Sequence, residues 1–91
     1  MNTKFTPGPW EYDSSGKYYK PCIRTNGVVI ALLYRQTTVT PEEYEANNHL
    51  LAAAPELLVA LKELCTLPNK HRPDKVWEQA KTAIAKAEGS L

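Results

Sequence analysis

The sequence predicts an α+β fold, in which a small N-terminal antiparallel sheet of about three strands packs against two or three C-terminal helices. Three observations predict it: strand-like alternation with turn pairs at the start of the chain, an apolar helical pattern in the middle, and a second helical pattern at the end. Since 91 residues is the length of one domain, we expect a single domain at 1–91. Its parts are a β-region at 1–39, a proline-kinked or split helix at 40–66 and a last helix at 73–89.

The chain begins with an extended arm, the TPGPW segment at 6–10. Its prolines fix their own φ and favour extended geometry in the residues before them. Trp10 and Tyr12 then alternate with acidic residues, which is the period of a half-buried strand. The turn-forming residues at 13–16 predict a reversal into a second strand around Tyr18.

The strongest turn signal is Asn26-Gly27, the pair typical of a two-residue type I′ hairpin. A two-residue loop also predicts the register, because the residues next to it must face each other. The predicted pairs are Thr25 with Val28, Arg24 with Val29, and Ile23 with Ile30. The predicted core face comprises Ile23, Thr25, Val28, Ile30, Leu32 and Tyr34. The opposite face carries Cys22, Arg24, Val29, Ala31, Leu33 and Arg35, which is apolar enough to need a covering layer or a partner chain.

The middle segment is predicted to be helical and to begin at Thr40. Thr40 is a suitable N-cap, Pro41 suits the first helical position, and Glu43 completes a capping box. Pro55 cannot donate a hydrogen bond to the carbonyl of Leu51, so the segment is either one kinked helix or two helices meeting at Ala54. The phase of its apolar stripe continues across the proline, which favours adjoining helical pieces on one core. The stripe comprises Leu50, Ala54, Leu57, Leu61 and Leu64.

A loop with two prolines at 66–73 separates this segment from the last helix. The last helix has an apolar face rich in small residues, which predicts close approach of a neighbouring helix. That face comprises Val76 or Trp77, Ala80, Ala83 or Ile84, Ala87 and Leu91. Together with the apolar residues on both predicted sheet faces, it predicts a homodimer.

Composition excludes several classes of function. Lys and Arg total 11 against 10 Asp and Glu, so the net charge is +1 and general nucleic-acid binding is disfavoured. Cys22 and Cys65 follow no CxxC spacing, which predicts neither a metal site nor a disulfide. No apolar run has the length of a membrane span or the pattern of a signal peptide, so we expect a cytoplasmic protein that does not bind membranes.

The sequence lacks the parts of the common catalytic sites. No HExxH, no GxSxG and no glycine-rich phosphate loop is present, so His49 and His71 have no catalytic or metal-binding context. Glu42 and Glu43 are explained by helix capping and by the helix dipole. We therefore expect no enzyme, no cofactor and no metal.

One cluster of aromatic and amide residues has two interpretations. The asparagines beside His49 either bond the carbonyls of the proline-containing arm or line a pocket. In the pocket interpretation, aromatic rings stack a base and arginines meet phosphate, so the ligand is a small nucleotide. The candidate ligand-binding residues are Trp10, Arg24, Arg35, Asn47, Asn48 and His49.

Basic residues also lie among aromatic residues around the predicted hairpin, at Lys17, Lys20, Arg24 and Arg35. Such a surface is typical of weak single-stranded nucleic-acid binding. The alternative is a sheet edge that lysine and Pro21 protect from the addition of another strand, and this interpretation is favoured.

Two motifs carry a resemblance to a known family. TPGPW together with EANNHLLAAAPELLVAL, 22 of the 91 residues, is similar to a family of short bacteriophage and prophage proteins with a TPGPW opening and an ANxxLxAAAPELLxAL helix. Ea22-like phage proteins resemble it more distantly. The resemblance implies an accessory phage protein in a bacterial cytoplasm, but no catalytic residues. We therefore expect a non-enzymatic protein that binds a host or phage protein and inhibits a host defence system. The alternatives are a sponge for a nucleotide-like signal and a weak single-stranded nucleic-acid binder.

Overall fold

The computed structural model describes residues 5–68 and 73–90. A three-stranded antiparallel sheet is followed by three helices, which confirms the predicted α+β fold. The elements are β1 (Glu11–Asp13), β2 (Cys22–Thr25), β3 (Val28–Leu32), α1 (Pro41–Ala52), α2 (Ala54–Cys65) and α3 (Asp74–Ala87), with sheet order β1-β2-β3. The chain groups into two compact units, Met1–Pro55 and Glu56–Leu91, which are described separately. The single domain stays a prediction.

The predicted reversal after β1 is present, but it leads into a loop instead of a strand. The Asp13 carboxylate accepts hydrogen bonds from the backbone N–H and the hydroxyl of Ser15, at 2.9 and 2.5 Å. Gly16 and Tyr19 then adopt φ values of +78° and +81°, and the Tyr19 N–H donates to the Gly16 carbonyl at 3.0 Å. Because left-handed residues cannot continue an extended strand, the strand predicted around Tyr18 is absent. The next strand begins at Cys22.

The hairpin between β2 and β3 has the predicted turn, with φ of +48° at Asn26 and +80° at Gly27. The first two predicted pairs are confirmed, since Thr25 faces Val28 and Arg24 faces Val29. The third is wrong because Ile23 faces Ala31. Ile30 is therefore an extra residue in β3, which is a β-bulge.

The bulge reverses which side chains beyond it are buried. Leu32 was predicted to be in the core but is 41% exposed, and its neighbour Leu33, predicted on the opposite face, is only 8% exposed. Tyr34 is likewise exposed. A shift of one residue moves every later side chain to the other face of a strand, so the predicted core face is wrong beyond Ile30. It is also wrong at Val28, which is 59% exposed, and at Cys22, which was predicted on the opposite face but is fully buried. Among residues 5–68 and 73–90, the buried apolar residues are Cys22, Ile23, Leu33 and Pro55.

The start of α1 is as predicted. The Glu43 N–H donates to the Thr40 hydroxyl and the Thr40 N–H donates to the Glu43 carboxylate, both at 3.1 Å, which completes the capping box. The helix ends at Ala52, and Ala53 lies between α1 and α2. Pro55 occupies the first turn of α2. Backbone N–H groups in a first turn have no acceptor within the helix, so a proline there breaks no helical hydrogen bond. The structure therefore contains two helices, which decides between the two predicted alternatives.

The inner face of α1 is polar. It packs on β1 and β2, with Asn48 only 3% exposed, and the Tyr44 hydroxyl donates to the Leu33 carbonyl at 3.4 Å. Leu50 follows Asn48 by two residues, about 200° around the helix, and it is more than half exposed. Leu50, the first residue of the predicted apolar stripe, therefore does not pack on the sheet.

The N-terminal arm packs against the start of α2. A Cβ atom on Gly8 would lie 3.0 Å from Cβ of Pro55, which is buried. The indole N–H of Trp10 donates to the Thr6 carbonyl at 2.9 Å, and the Trp10 ring meets Phe5 edge-on. The Gly8–Pro9 peptide bond is cis. The two sequence motifs are thus in contact through Gly8 and Pro55.

In the second unit, α2 and α3 each have a half-buried face. Lys62 on α2 forms an ion pair of 2.6 Å with Glu88, just beyond α3. Of the alternatives predicted for α3, Trp77 and Ile84 are half-buried and Val76 and Ala83 are exposed. Leu91 and residues 69–72 of the predicted loop lie outside the described residues. Within residues 5–68 and 73–90, no helix is long and apolar enough to cross a membrane.

Candidate functional site

The largest apolar side chains left exposed on the second unit include those along one side of α2. Leu57 and Leu64 are 53% and 59% exposed, Ala60 is exposed, and Leu67 is exposed just beyond the helix. The N–H of Leu67 donates to the Leu64 carbonyl at 3.3 Å, so Leu67 continues the last turn. We call Leu57, Ala60, Leu64 and Leu67 the leucine stripe. Their spacing of three, four and three residues keeps them on one side of a helix.

A different side of α2 is half-buried. The half-buried residues of the helix include Leu58, Leu61, Lys62 and Cys65, which also recur at steps of three and four. The leucine stripe lies beside this inner side, so α2 is apolar around more than half of its circumference. Since one face of a surface helix is normally polar, the exposed stripe is a candidate interaction surface.

Carboxylates border the leucine stripe on the side away from the inner face. Glu56 and Glu63 are exposed and seven residues apart, so they lie in one row along the helix. Lys62 does not offset this row, because its ammonium group is paired with Glu88 at 2.6 Å. The border of the stripe is therefore acidic.

A second candidate is a polar cluster between β1 and α1. The Tyr12 hydroxyl donates to the Glu45 carboxylate at 2.9 Å, and the Tyr12 ring meets the His49 ring edge-on at 5.3 Å. The His49 Nε2 atom lies 4.0 Å from the Glu45 carboxylate. These contacts fix α1 on the strand and place Glu45, Asn48 and His49 on one side of the helix.

Asn48 is the buried member of this cluster, and its Nδ2 atom has no hydrogen-bond partner among the residues that the structure describes. Burial raises the pKa of Tyr12, the nearby Asn48 amide opposes this rise, and the Glu45 carboxylate adds to it. The amide thus lies close to the phenol. Among the described residues the Asn48 Nδ2 atom does not donate to a carbonyl of the arm, whereas the same bond from Asn47, the other half of that interpretation, stays a prediction. The arm meets the helices at Gly8 and Pro55.

The predicted ligand-binding residues are only partly brought together. Asn48 and His49 meet Tyr12, whereas Asn47 is exposed and Trp10 bonds within the arm. Arg24 pairs with Glu11 in the sheet, and so lies on the face opposite Tyr12. The Arg35 guanidinium donates to the Val39 carbonyl at 2.9 Å. Nucleotide binding by this set stays a prediction.

Arg24 is held by carboxylates on its face of the sheet. Its Nε atom lies 3.2 Å from the Asp13 carboxylate, and a terminal nitrogen lies 3.6 Å from Glu11. Hydrogen bonds from Ser15 lower the pKa of Asp13, and Arg24 lowers it further. The fold therefore favours the charged form of this carboxyl group.

This lowered pKa predicts loss of stability in acid. Because the carboxyl group is favoured in its charged form by the fold, its contribution is present above its unfolded pKa, near 3.8. The contribution is lost as the pH falls through the lower, folded value. We expect Asp13→Asn to be less stable than the unchanged chain at neutral pH and to lose less stability on acidification. Urea denaturation at a series of pH values between neutral and acidic gives the free energy of unfolding of both proteins. An equal loss of stability on acidification in the two proteins would contradict the prediction.

The predicted basic surface consists of lysines stacked on tyrosines. The Lys20 ammonium lies 5.5 Å from the centre of the Tyr19 ring and 5.1 Å from that of Tyr34. Lys17 and Arg24 lie over Tyr18, at 5.8 and 5.5 Å. These contacts are cation–π interactions within the fold. Binding of single-stranded nucleic acid by this surface stays a prediction.

Comparison with known families places the chain among phage proteins. The family model described as Salmonella phage P22 protein Y8K6 matches residues 1–91. The chain belongs to this family. No curated protein and no solved structure matches the chain. The predicted membership of a phage protein family is confirmed. The two motifs as the signature of that family, and the more distant relation to Ea22-like proteins, stay predictions.

Sequence reasoning missed parts of both candidate sites in this phage protein. It did not select Glu45 for the polar cluster, although Glu45, Asn48 and His49 have the spacing of one helix side, and it did not include Tyr12 among the candidate ligand-binding residues. It treated Leu57 and Leu64 as core residues, although Glu56 and Glu63 beside them are a signal of a solvent-facing side. No group of three or more potential metal ligands occurs in the part of the chain that the structure describes.

Proposed function

We propose that this phage protein acts without catalysis, by binding another protein through the leucine stripe of α2. The partner is a host or phage protein in the cytoplasm of the infected bacterium. Membership of a phage protein family supports a role during infection. We include inhibition of a host defence system in the proposal as the effect of this binding.

The observation that carries the proposal is the exposure of Leu57 and Leu64 on the same side of α2. Each of these leucines is about half exposed, so it forgoes roughly half of the 1.5–3 kcal/mol that burying a fully exposed leucine would contribute. Contiguous apolar residues bordered by polar ones are typical of surfaces that are covered in a complex. A helix that presents leucines at this spacing also matches a common mode of recognition, in which an apolar helix face enters a groove or pairs with another helix.

Affinity capture with matched variants tests the proposal. The tagged protein is incubated with bacterial lysate, and the captured material is identified by mass spectrometry and ultraviolet absorbance. We expect a protein partner that is lost with Leu64→Lys and retained with Val76→Lys. Val76 is a suitable control because it is an exposed apolar residue on α3, at 55% exposure, and its substitution adds the same charge. Binding is then measured with the purified partner.

The alternatives are outcomes of the same experiment. A released nucleotide that absorbs in the ultraviolet base band, without a protein partner, would favour the nucleotide sponge and contradict the proposal. Salt-sensitive retention of single-stranded nucleic acid, unaffected by Leu64→Lys, would also contradict the proposal. It would favour nucleic-acid binding by the basic surface around Lys20 and Tyr34. A protein partner captured equally by both variants would show that the leucine stripe is not the binding surface.

A further inference from the structure

We infer that the leucine stripe is covered by an amphipathic helix with a basic flank, contributed by the partner protein. This inference rests on the proposed function and specifies the chemistry of the partner. Three features carry it: the spacing of the stripe, the charges along its border, and the consequence of placing a second copy of this chain on it.

The spacing favours a helix as the occupant. Leu57, Ala60, Leu64 and Leu67 occupy positions equivalent to a, d, a and d of a heptad. Side chains at these positions interdigitate with those of a facing helix. Ala60 has the smallest side chain of the leucine stripe and lies between Leu57 and Leu64. The surface therefore has a shallow depression at Ala60. A large apolar side chain of the partner fits against Ala60.

The border charges favour basic residues in that helix. With this assignment, Glu56 and Glu63 occupy g positions, which face the flanking residues of a partner helix and set partner choice. Both carboxylates are exposed, and the neighbouring Lys62 is paired with Glu88. Lysine or arginine on the facing flank would complement the row, and glutamate or aspartate would be repelled. Such rim charges affect specificity and association rate more than total affinity.

The same charges disfavour a second copy of the chain at this surface. In an antiparallel pair, the row of Glu56 and Glu63 would face the same row of the other copy. In a parallel pair it would face the position of Leu61, which offers no positive charge. The homodimer predicted from the last helix and the sheet faces therefore stays a prediction for other surfaces.

Two synthetic helical peptides of about two heptads test the inference. Both carry leucines at three-four-three spacing, and they differ only in having lysine or glutamate at the flanking positions. Titration into the full chain is followed by fluorescence anisotropy. We expect the lysine peptide to bind about five-fold more tightly at low salt, with a preference that decreases as salt rises. Leu64→Lys should abolish binding of both peptides.

Charge reversal provides the matched control. The double variant Glu56→Lys and Glu63→Lys should reverse the preference in favour of the glutamate peptide. Glu42→Lys with Glu78→Lys changes the total charge equally, at exposed positions on other helices, and should leave the preference unchanged. Circular dichroism confirms that each variant is folded.

The outcomes separate this inference from the proposed function. Equal affinity for both peptides, with dependence on Leu64, would overturn the basic partner and leave protein binding through the stripe intact. Failure of both peptides to bind, with lysate capture still dependent on Leu64, would overturn the helix as occupant. Loss of Leu64 dependence in lysate capture would overturn the proposed function itself.

Discussion

Replacing Ile23 with alanine is expected to lower the free energy of unfolding of the N-terminal unit by about 2–5 kcal/mol. Ile23 is only 2% exposed and lies in the central strand of the sheet, paired with Tyr12 on one side and Ala31 on the other. The small sheet has few other buried apolar side chains, so a cavity here has little surrounding structure to close it. Urea denaturation followed by Trp10 fluorescence and circular dichroism measures the change.

Two neighbouring leucines provide the control and also test the bulge at Ile30. Leu33→Ala should cost about 2 kcal/mol or more, because it opens a cavity. Leu32→Ala should cost less than about 1 kcal/mol, because its side chain is partly in solvent. The substitutions are identical and adjacent, so the difference reports burial alone. Equal losses of stability for the two variants, or a larger loss for Leu32→Ala, would indicate that β2 and β3 pair without the bulge.

Replacing Gly8 with valine is expected to destabilise the protein by at least about 1–3 kcal/mol. The added Cβ would lie 3.0 Å from Cβ of Pro55, which is tighter than nine in ten such contacts in proteins. Pro55 is buried and its ring is rigid, so it cannot rotate away as a long side chain would. The TPGPW arm must therefore shift, which weakens its packing on Pro55. Thermal unfolding monitored by circular dichroism gives the size of the effect.

A size series at this position makes the cause explicit. Gly8→Ala should destabilise less than Gly8→Val, because alanine adds only the atom in closest contact. If the arm moved aside without cost, Gly8→Ala would instead stabilise the protein by about 0.4–1 kcal/mol, through the reduced entropy of the unfolded chain. The sign of the alanine effect therefore decides whether the arm is packed on Pro55. A higher melting temperature for Gly8→Ala would contradict the contact.

Elements specified by neighbouring residues were predictable from the sequence. The capping box of Thr40 and Glu43 requires only a local arrangement of two side chains and two N–H groups. The turn at Asn26-Gly27 requires two residues that adopt positive φ. In both cases the interaction lies within four residues, so no distant part of the fold competes with it.

The bulge and the phase of the helices were not predictable in the same way. Strand alternation assumes an uninterrupted period of two, and nothing local distinguishes Ile30 as the extra residue. The spacing of the leucines correctly indicates one helix side, but spacing alone does not say whether that side faces protein or solvent. The structure buries Asn48 against the sheet and leaves Leu50 exposed.

The contacts of the polar cluster were also not predictable from the sequence, because they join residues that are far apart in the chain. Tyr12 and Glu45 are 33 residues apart, and their hydrogen bond depends on the packing of α1 against β1. The face of Arg24 depends on strand pairing, which commits its guanidinium to Glu11 and Asp13. Side-chain chemistry was therefore recognised in the sequence, whereas its grouping required the fold.

The central claim is that a partner protein covers the leucine stripe, and amide hydrogen exchange of the purified complex tests it most directly. Compared with the free protein, we expect slower exchange in the complex across residues 57–67, including the amides of Ala60 and Leu64. Exchange around Tyr19 and Tyr34 should be unchanged. Slower exchange confined to the hairpin and the loop before it, with 57–67 unaffected, would contradict the claim.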